Sequence, residues 1–424
     1  MDLLDIALKC HARGDLQGAE AIYASIIEAD PENPDAIHYL GILLHQKGGG
    51  AEALDLVRKS ILLSPDRAAW HNDLGNMLAE MGFHHQAAEA FLSALEIDAK
   101  NPAFWNNLGS TLERLKQYQD AETAYGKAVE FDPDFVDALN NLGNLLVSLG
   151  REVEASRYYC SAYVIGPHEG KPKSMLGIAY YNLGRIDMAA EIYRQWMIEE
   201  PGNPVPRHLH ASCSGVDVPE RASEAYVEKT FDEFSGHFDV KMEQIAYRGH
   251  ELILDALSRR MKPEGRLVGL DAGCGTGLCG PLVRPYVSRL VGVDISSGMI
   301  EVARQRAVYD ELVRMELKCY TDIHPGAFDL IVSSDTLSYF GDLHGILDSM
   351  RKALKNGGLL IFTVEEAEGE GYRINPHGRY SHGRGYLRES LVQNGFAEPE
   401  FEKGVMRFEL GREVGSLTVS ARAD

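Results

Sequence analysis

Residues 267–277 read Leu-Val-Gly-Leu-Asp-Ala-Gly-Cys-Gly-Thr-Gly, a short apolar run that ends on Asp271 and turns at once through glycines. Such a run, bounded by glycine, reads as a buried strand, and glycines at the bend let a ligand reach backbone N–H groups with no Cβ in the way. The same grammar repeats on either side. Residues 290–293 end on Asp294, residues 328–332 lead to Ser333, and 357–362 form a fourth apolar run. Helical segments at 278–286, 297–308 and 342–355 fall between them. Alternating strand and helix implies a parallel sheet covered on both faces, with ligands bound at the carboxyl ends of the strands. Asp271, Asp294 and Ser333 stand at those ends. Further on, 387–394 reads as a helix, and 401–408 with 415–421 alternates with period two, as an antiparallel hairpin at the sheet edge does.

Two nucleotide chemistries compete for this bend. Gly275, Gly277 and Gly280 satisfy G-x-G-x-x-G, and Asp294 lies 19 residues after Gly275, the arrangement of a dinucleotide fingerprint. Against it stands Asp271, an acid just ahead of the glycines. It repels a pyrophosphate but accepts a hydrogen bond from a cationic amino group.

The first two hundred residues carry a different signal, a period of 34. Gly recurs at 41, 75, 109, 143 and 177, Ala at 19, 53, 87, 121, 155 and 189, and a large residue four places after each Ala. Pro31, Pro65, Pro133, Pro167 and Pro201 end the units; the third has Ala99 there, with Pro102 slightly later. Small residues let antiparallel helices approach, the aromatic fills the gap, and proline stops the second helix. Gly14, Gly48, Gly82, Gly150 and Gly184 mark the turn between paired helices, and Lys116 takes that place in the fourth unit. Six units fit over 1–203, an α solenoid whose inner face is built by the first helix of each pair. That face should carry Asn72 and Asn76, Asn106 and Asn107, and Asn140, Asn141 and Asn144. Asparagine pairs with both polar groups of a peptide backbone, so a peptide or protein partner is the expected occupant; asparagine also simply favours helix starts and wet surfaces.

Between the halves, prolines and glycines over 201–219 mark a linker, with a capping helix near 207–213. Phe231, Phe234 and Phe238 follow at helical spacing, either packing on the next domain or covering a cofactor. The expected domains are therefore a solenoid over 1–203, a linker, cap and lid over 204–260, and a nucleotide-binding α/β domain over 261–424.

The repeats resemble the tetratricopeptide family, with the pairs Leu74-Gly75, Leu108-Gly109 and Leu142-Gly143 and the closing proline. The asparagine ladder resembles that of the O-GlcNAc transferase repeats. The second half resembles class I methyltransferases through 271–277, through Asp294-Ile295-Ser296-Ser297-Gly298-Met299, and through Phe328-Asp329-Leu330-Ile331 and Lys355-Asn356-Gly357-Gly358. The whole is similar to bacterial proteins that fuse the two. That resemblance implies a seven-stranded Rossmann-like domain and S-adenosylmethionine as cofactor. It implies that Asp271, Gly273, Cys274 and Gly275 meet the methionine portion and Asp294 the ribose hydroxyls. Ile295 and Met299 then flank adenine, and Asp322-Ile323 stands where the adenine amino group is met. For the acceptor, His382, Tyr380 and Glu365 are candidate bases and Arg379 a carboxylate clamp; the Gly378–His382 segment equally fits a structural loop.

Composition narrows the classes. The 424 residues hold 42 Lys+Arg against 63 Asp+Glu, a net charge of −21. So acidic a surface repels phosphate backbones and anionic lipid, so neither nucleic acid nor membrane is an expected partner. No apolar run approaches a membrane span, and the N-terminus lacks a signal-peptide pattern. Cysteines at 10, 160, 213, 274, 279 and 319 form no C-x-x-C pair, so no metal site is expected and a reducing cytoplasm is.

Overall fold

A computed structural model describes residues 2–424, which divide into two compact units, one up to Pro167 and the other His168–Asp424. The first unit is five antiparallel helix pairs, from Leu3–Ala12 with Leu16–Ala29 to Val136–Ser148 with Glu152–Val164. Each first helix touches the next first helix, which makes them one face. From the second pair to the fifth, the glycine of the first helix is sterically required. A Cβ on Gly75 would lie 2.6 Å from the Phe91 ring, and one on Gly109 would lie 2.7 Å from Tyr125. Lys116 takes the left-handed φ of +60° that glycine supplies at the other turns, so the period survives a residue that ordinarily avoids this conformation. Pro102 opens the next helix, where Asn101 accepts from Ala103 N–H, as Asn33 caps the helix begun by Pro34.

The second unit begins with a sixth pair, Lys173–Asn182 and Ile186–Glu199, and the capping helix Pro204–Ser214. The expected boundary at 203/204 thus falls inside this unit. His208 of the cap bonds the Gly378 carbonyl at 2.7 Å, and Ser212 donates to the Pro376 carbonyl, so the cap is part of one body with the sheet.

The sheet comprises β1 (Leu267–Ala272), β2 (Val287–Asp294), β3 (Glu311–Arg314), β4 (Phe328–Ser333), β5 (Leu354–Glu366), β6 (Tyr372–Ile374), β7 (Tyr380–His382), β8 (Glu400–Glu409) and β9 (Arg412–Arg422). Its order β3-β2-β1-β4-β5 is all parallel; β9 runs antiparallel to β5, and β8 pairs with β9 as the expected hairpin. Nine strands replace the expected seven because the 372–382 segment adds β6 and β7 at the end of β5. Leu330, Val332, Leu359 and Ile361 fill one face of the sheet, and Ile331, Leu360 and Phe362 the other.

Candidate active site

Where β1, β2 and β4 end, the chain opens a cavity lined by Asp271, Gly273, Gly275 and Asp294. Asp271 closes its floor: 1% exposed, it sits in register between Gly292 and Val332 and accepts a hydrogen bond from Tyr309 Oη at 2.6 Å. Burial pushes its carboxyl up to about 7 against the opposing Tyr309 bond, and nearby Asp294 adds to the rise. The bend is tied down by its backbone. Gly273 and Cys274 N–H both donate to the Val293 carbonyl, and Gly275 N–H donates to Asp294 Oδ2 at 2.9 Å. Gly275 has φ +54° and a Cβ there would meet nothing within 4 Å, so its backbone faces open space. Asp294 Oδ1 accepts from Ser296 N–H at 2.9 Å, which fixes the carboxylate at the cavity edge, and burial raises its pKa.

Ile295 and Met299 line the adjoining wall with Met315, Glu316 and Leu317, the residues directly after β3. Asp322 and Ile323 do not. Asp322 ends the Leu317–Asp322 helix, paired with Lys318 and accepting from Ser349, and Ile323 is 63% exposed. The displacement has a cause: β3 holds two apolar residues and is half exposed, so the sequence pattern does not reveal it and the position after it moves six places. Ser333 also turns away, donating to the Ala272 carbonyl at 2.8 Å while Ser334, Asp335 and Thr336 line the cavity. Asp335 holds a left-handed φ of +57°, with its carboxylate 3.5 Å from Arg407.

Of the acceptor-side candidates, Arg379 alone lines the cavity. Its Nε donates to Tyr339 Oη at 3.2 Å and its Nη1 to Glu409 at 3.4 Å, while Nη2 has no partner among the described residues. His382 is fully buried in β7, with Nε2 against the carbonyls of Phe340 and Gly341, and burial holds it down to about 4. Tyr380, also buried, donates to the Pro219 carbonyl at 2.5 Å. Glu365 lies in a cluster with His377 and Arg407, and against its burial the His377 hydrogen bond and the neighbouring guanidinium of Arg407 hold it far below the usual carboxylate range. None of these three reaches the cavity; each has a structural partner. Cys274 and Cys279 are buried, and desolvation pushes both thiols well up, which removes them as nucleophiles.

The aromatic segment both packs and covers. Phe231 and Phe238 line the cavity from the helices Glu224–Phe234 and Phe238–Gln244. Asp232 accepts from Ser296 Oγ at 2.5 Å and Gly298 N–H at 3.0 Å, at the start of the helix Ser297–Gln305. Asp239 accepts from Thr276 Oγ1 at 2.6 Å and pairs with Arg306, and Glu228 pairs with Arg314. The sequence assigns no role to these acids, nor to Tyr247 and His250, which line the cavity; His250 leaves Nδ1 buried without a partner. Charge separates the competing ligands. Asp271 and Asp294 line the glycine bend, and the nearby Arg306 is held by Asp239 and the Thr276 carbonyl, so at the bend a diphosphate meets two carboxylates and an arginine already paired, while a cationic group meets acceptors.

Residues 270–362 match the family model of a methyltransferase domain, and 11–76, 102–135 and 124–155 match models of the tetratricopeptide repeat. The chain thus joins tetratricopeptide repeats to a class I methyltransferase domain. Among curated proteins it is similar to a malonyl-[acyl-carrier protein] O-methyltransferase of Priestia megaterium, 30% identical over 37% of this chain and 57% of that one. A protein so named from Acetivibrio thermocellus is 36% identical over 26% of this chain and 40% of that one. A ubiquinone biosynthesis O-methyltransferase of Thiobacillus denitrificans is 28% identical over 35% and 64%. The chain spans about half the length of the first two. A crystal structure of MamA aligns at TM-score 0.36 and 25% identity, over 38% of this chain and 93% of that one.

Proposed function

We propose that the second unit transfers the methyl group of S-adenosylmethionine to an acceptor borne by a peptide or protein that the repeats hold. The observation that carries the cofactor reading is the juxtaposition of buried Asp271, open Gly275 and Asp294 at the ends of β1 and β2. The cofactor supplies a methyl already activated on a sulfonium. Asp271 accepts from its ammonium and Gly275 lets the methionine portion close on the backbone. Asp294 accepts the ribose hydroxyls, and Ile295 and Met299 clasp adenine beside Met315–Leu317. Phe231 and Phe238 exclude water, so positioning and desolvation do most of the work. Arg379 Nη2 and Tyr339 orient the acceptor, and His250, whose buried Nδ1 has no partner, is a base within the cavity. Two of the relatives are named for a group carried on a protein, which supports a protein-borne acceptor.

The test uses the full chain. S-adenosylmethionine should bind by calorimetry, and incubation with cellular protein should add about 14 Da to one polypeptide. No binding at millimolar ligand rejects the cofactor reading. Label entering small metabolites alone favours the second reading, a small-molecule enzyme whose repeats dock a partner; the ubiquinone-biosynthesis relative supports that one.

A further inference from the structure

Tyr309 belongs to no motif of the cofactor loop, yet three of the loop's surrounding glycines exist around it. A Cβ on Gly277, Gly280 or Gly292 would lie within 2.8–3.0 Å of its ring atoms. The G-x-G-x-x-G spacing that resembles a dinucleotide fingerprint is therefore occupied, at two of its three glycines, by an aromatic ring of the chain itself. From that seat the hydroxyl reaches Asp271 Oδ2 at 2.6 Å, leaving Oδ1 without a partner among the described residues. Resting on the S-adenosylmethionine reading, we propose that Tyr309 is a positioning residue, whose hydroxyl fixes the Asp271 carboxylate in its ionised form to receive the cofactor's ammonium.

The groups facing Asp271 support this. β2 contributes Asp294 at its end and uncharged Gly292 in register, β4 contributes Val332, and the loop contributes the Cys274 and Cys279 thiols. No cation is among them, so burial and Asp294 both raise the carboxyl, and the Tyr309 hydroxyl is the group that opposes them. The cradle keeps the donor in place: a phenol held by three missing side chains cannot swing away from the carboxylate.

Tyr309→Phe keeps the ring in its seat and removes the donor alone. S-adenosylmethionine and S-adenosylhomocysteine are titrated calorimetrically into the full-length wild type and variant from about pH 6 to about pH 9. Wild-type affinity should rise along an acid limb centred near 7, with an alkaline limb set by the ligand's own ammonium. In the variant, affinity at neutral pH should fall about tenfold and the acid limb should move to higher pH, with the alkaline limb unmoved. Unchanged affinity and an unchanged acid limb overturn the proposal while leaving the cofactor reading standing. A pH-independent weakening also overturns it, because it reports packing and not charge. Absence of binding by the wild type removes the cofactor reading, and this inference with it.

Discussion

His382 shows what a single residue's surroundings do to its chemistry. Both faces of β7 are covered, so all three of its residues are buried, and chain order alone does not say that the strand is enclosed. Asp271, Gly275 and Asp294 were legible because the acid, the bend and the following strand end lie in one local pattern. The enclosure of His382, Tyr380 and Glu365 is not legible, because their partners, Phe340, Pro219 and Arg407, are 42, 161 and 42 residues away and come together only in the fold. A neutral histidine held down to about 4 carries a stability consequence. Between about pH 6.5 and about 4 the unfolded chain binds a proton that the folded chain does not, so stability falls as pH falls through that window, by about 3 kcal/mol. His382→Gln should lose less stability over the same range in urea unfolding and should keep cofactor affinity. Identical acid sensitivity in both proteins would show that the burial is relieved on protonation.

At the scale of elements, the aromatic spacing of the lid was readable and its latch was not, since Asp232, Asp239 and Glu228 look like any solvated acids until Ser296, Arg306 and Arg314 meet them. The edge strand β3 was likewise invisible, because four residues with two half-covered apolar side chains leave no period to count, and Asp322 was misplaced as a result. The lid's hold is local and testable. Asp232 stands at the start of the helix that follows Asp294, where an acid satisfies free N–H groups and meets the helix dipole. Asp232→Ala should cost that contact about 1–2 kcal/mol and speed dissociation of S-adenosylhomocysteine roughly tenfold in stopped flow. A dissociation rate equal to wild type would mean that Phe231 and Phe238 alone keep the lid shut.

Across the whole molecule, the repeat half was the more legible because its rule is written six times, so that even Lys116 could replace a turn glycine without hiding it. What repetition could not reveal is how the asparagines use one another. Asn107 donates to Asn72 at 3.0 Å and to Asn76 at 3.2 Å, and Asn141 donates to Asn106 at 2.9 Å, so amides one repeat apart are tied within the first unit. Part of each ladder group is thus structural, and removing the whole ladder confounds partner binding with loss of repeat stacking. Asn140 separates the two, because its amide has no side-chain partner among the described residues and is only partly exposed. If the inner face holds a peptide backbone, Asn140→Ala should leave the unfolding midpoint within about 0.5 kcal/mol of wild type while weakening a bound partner by about 1 kcal/mol. Asn107→Ala should lower both, since it unpairs Asn72 and Asn76. Measured together by thermal unfolding and by binding of the methylated polypeptide, an Asn140 variant with full affinity would assign the ladder to holding repeats together, and not to holding a partner.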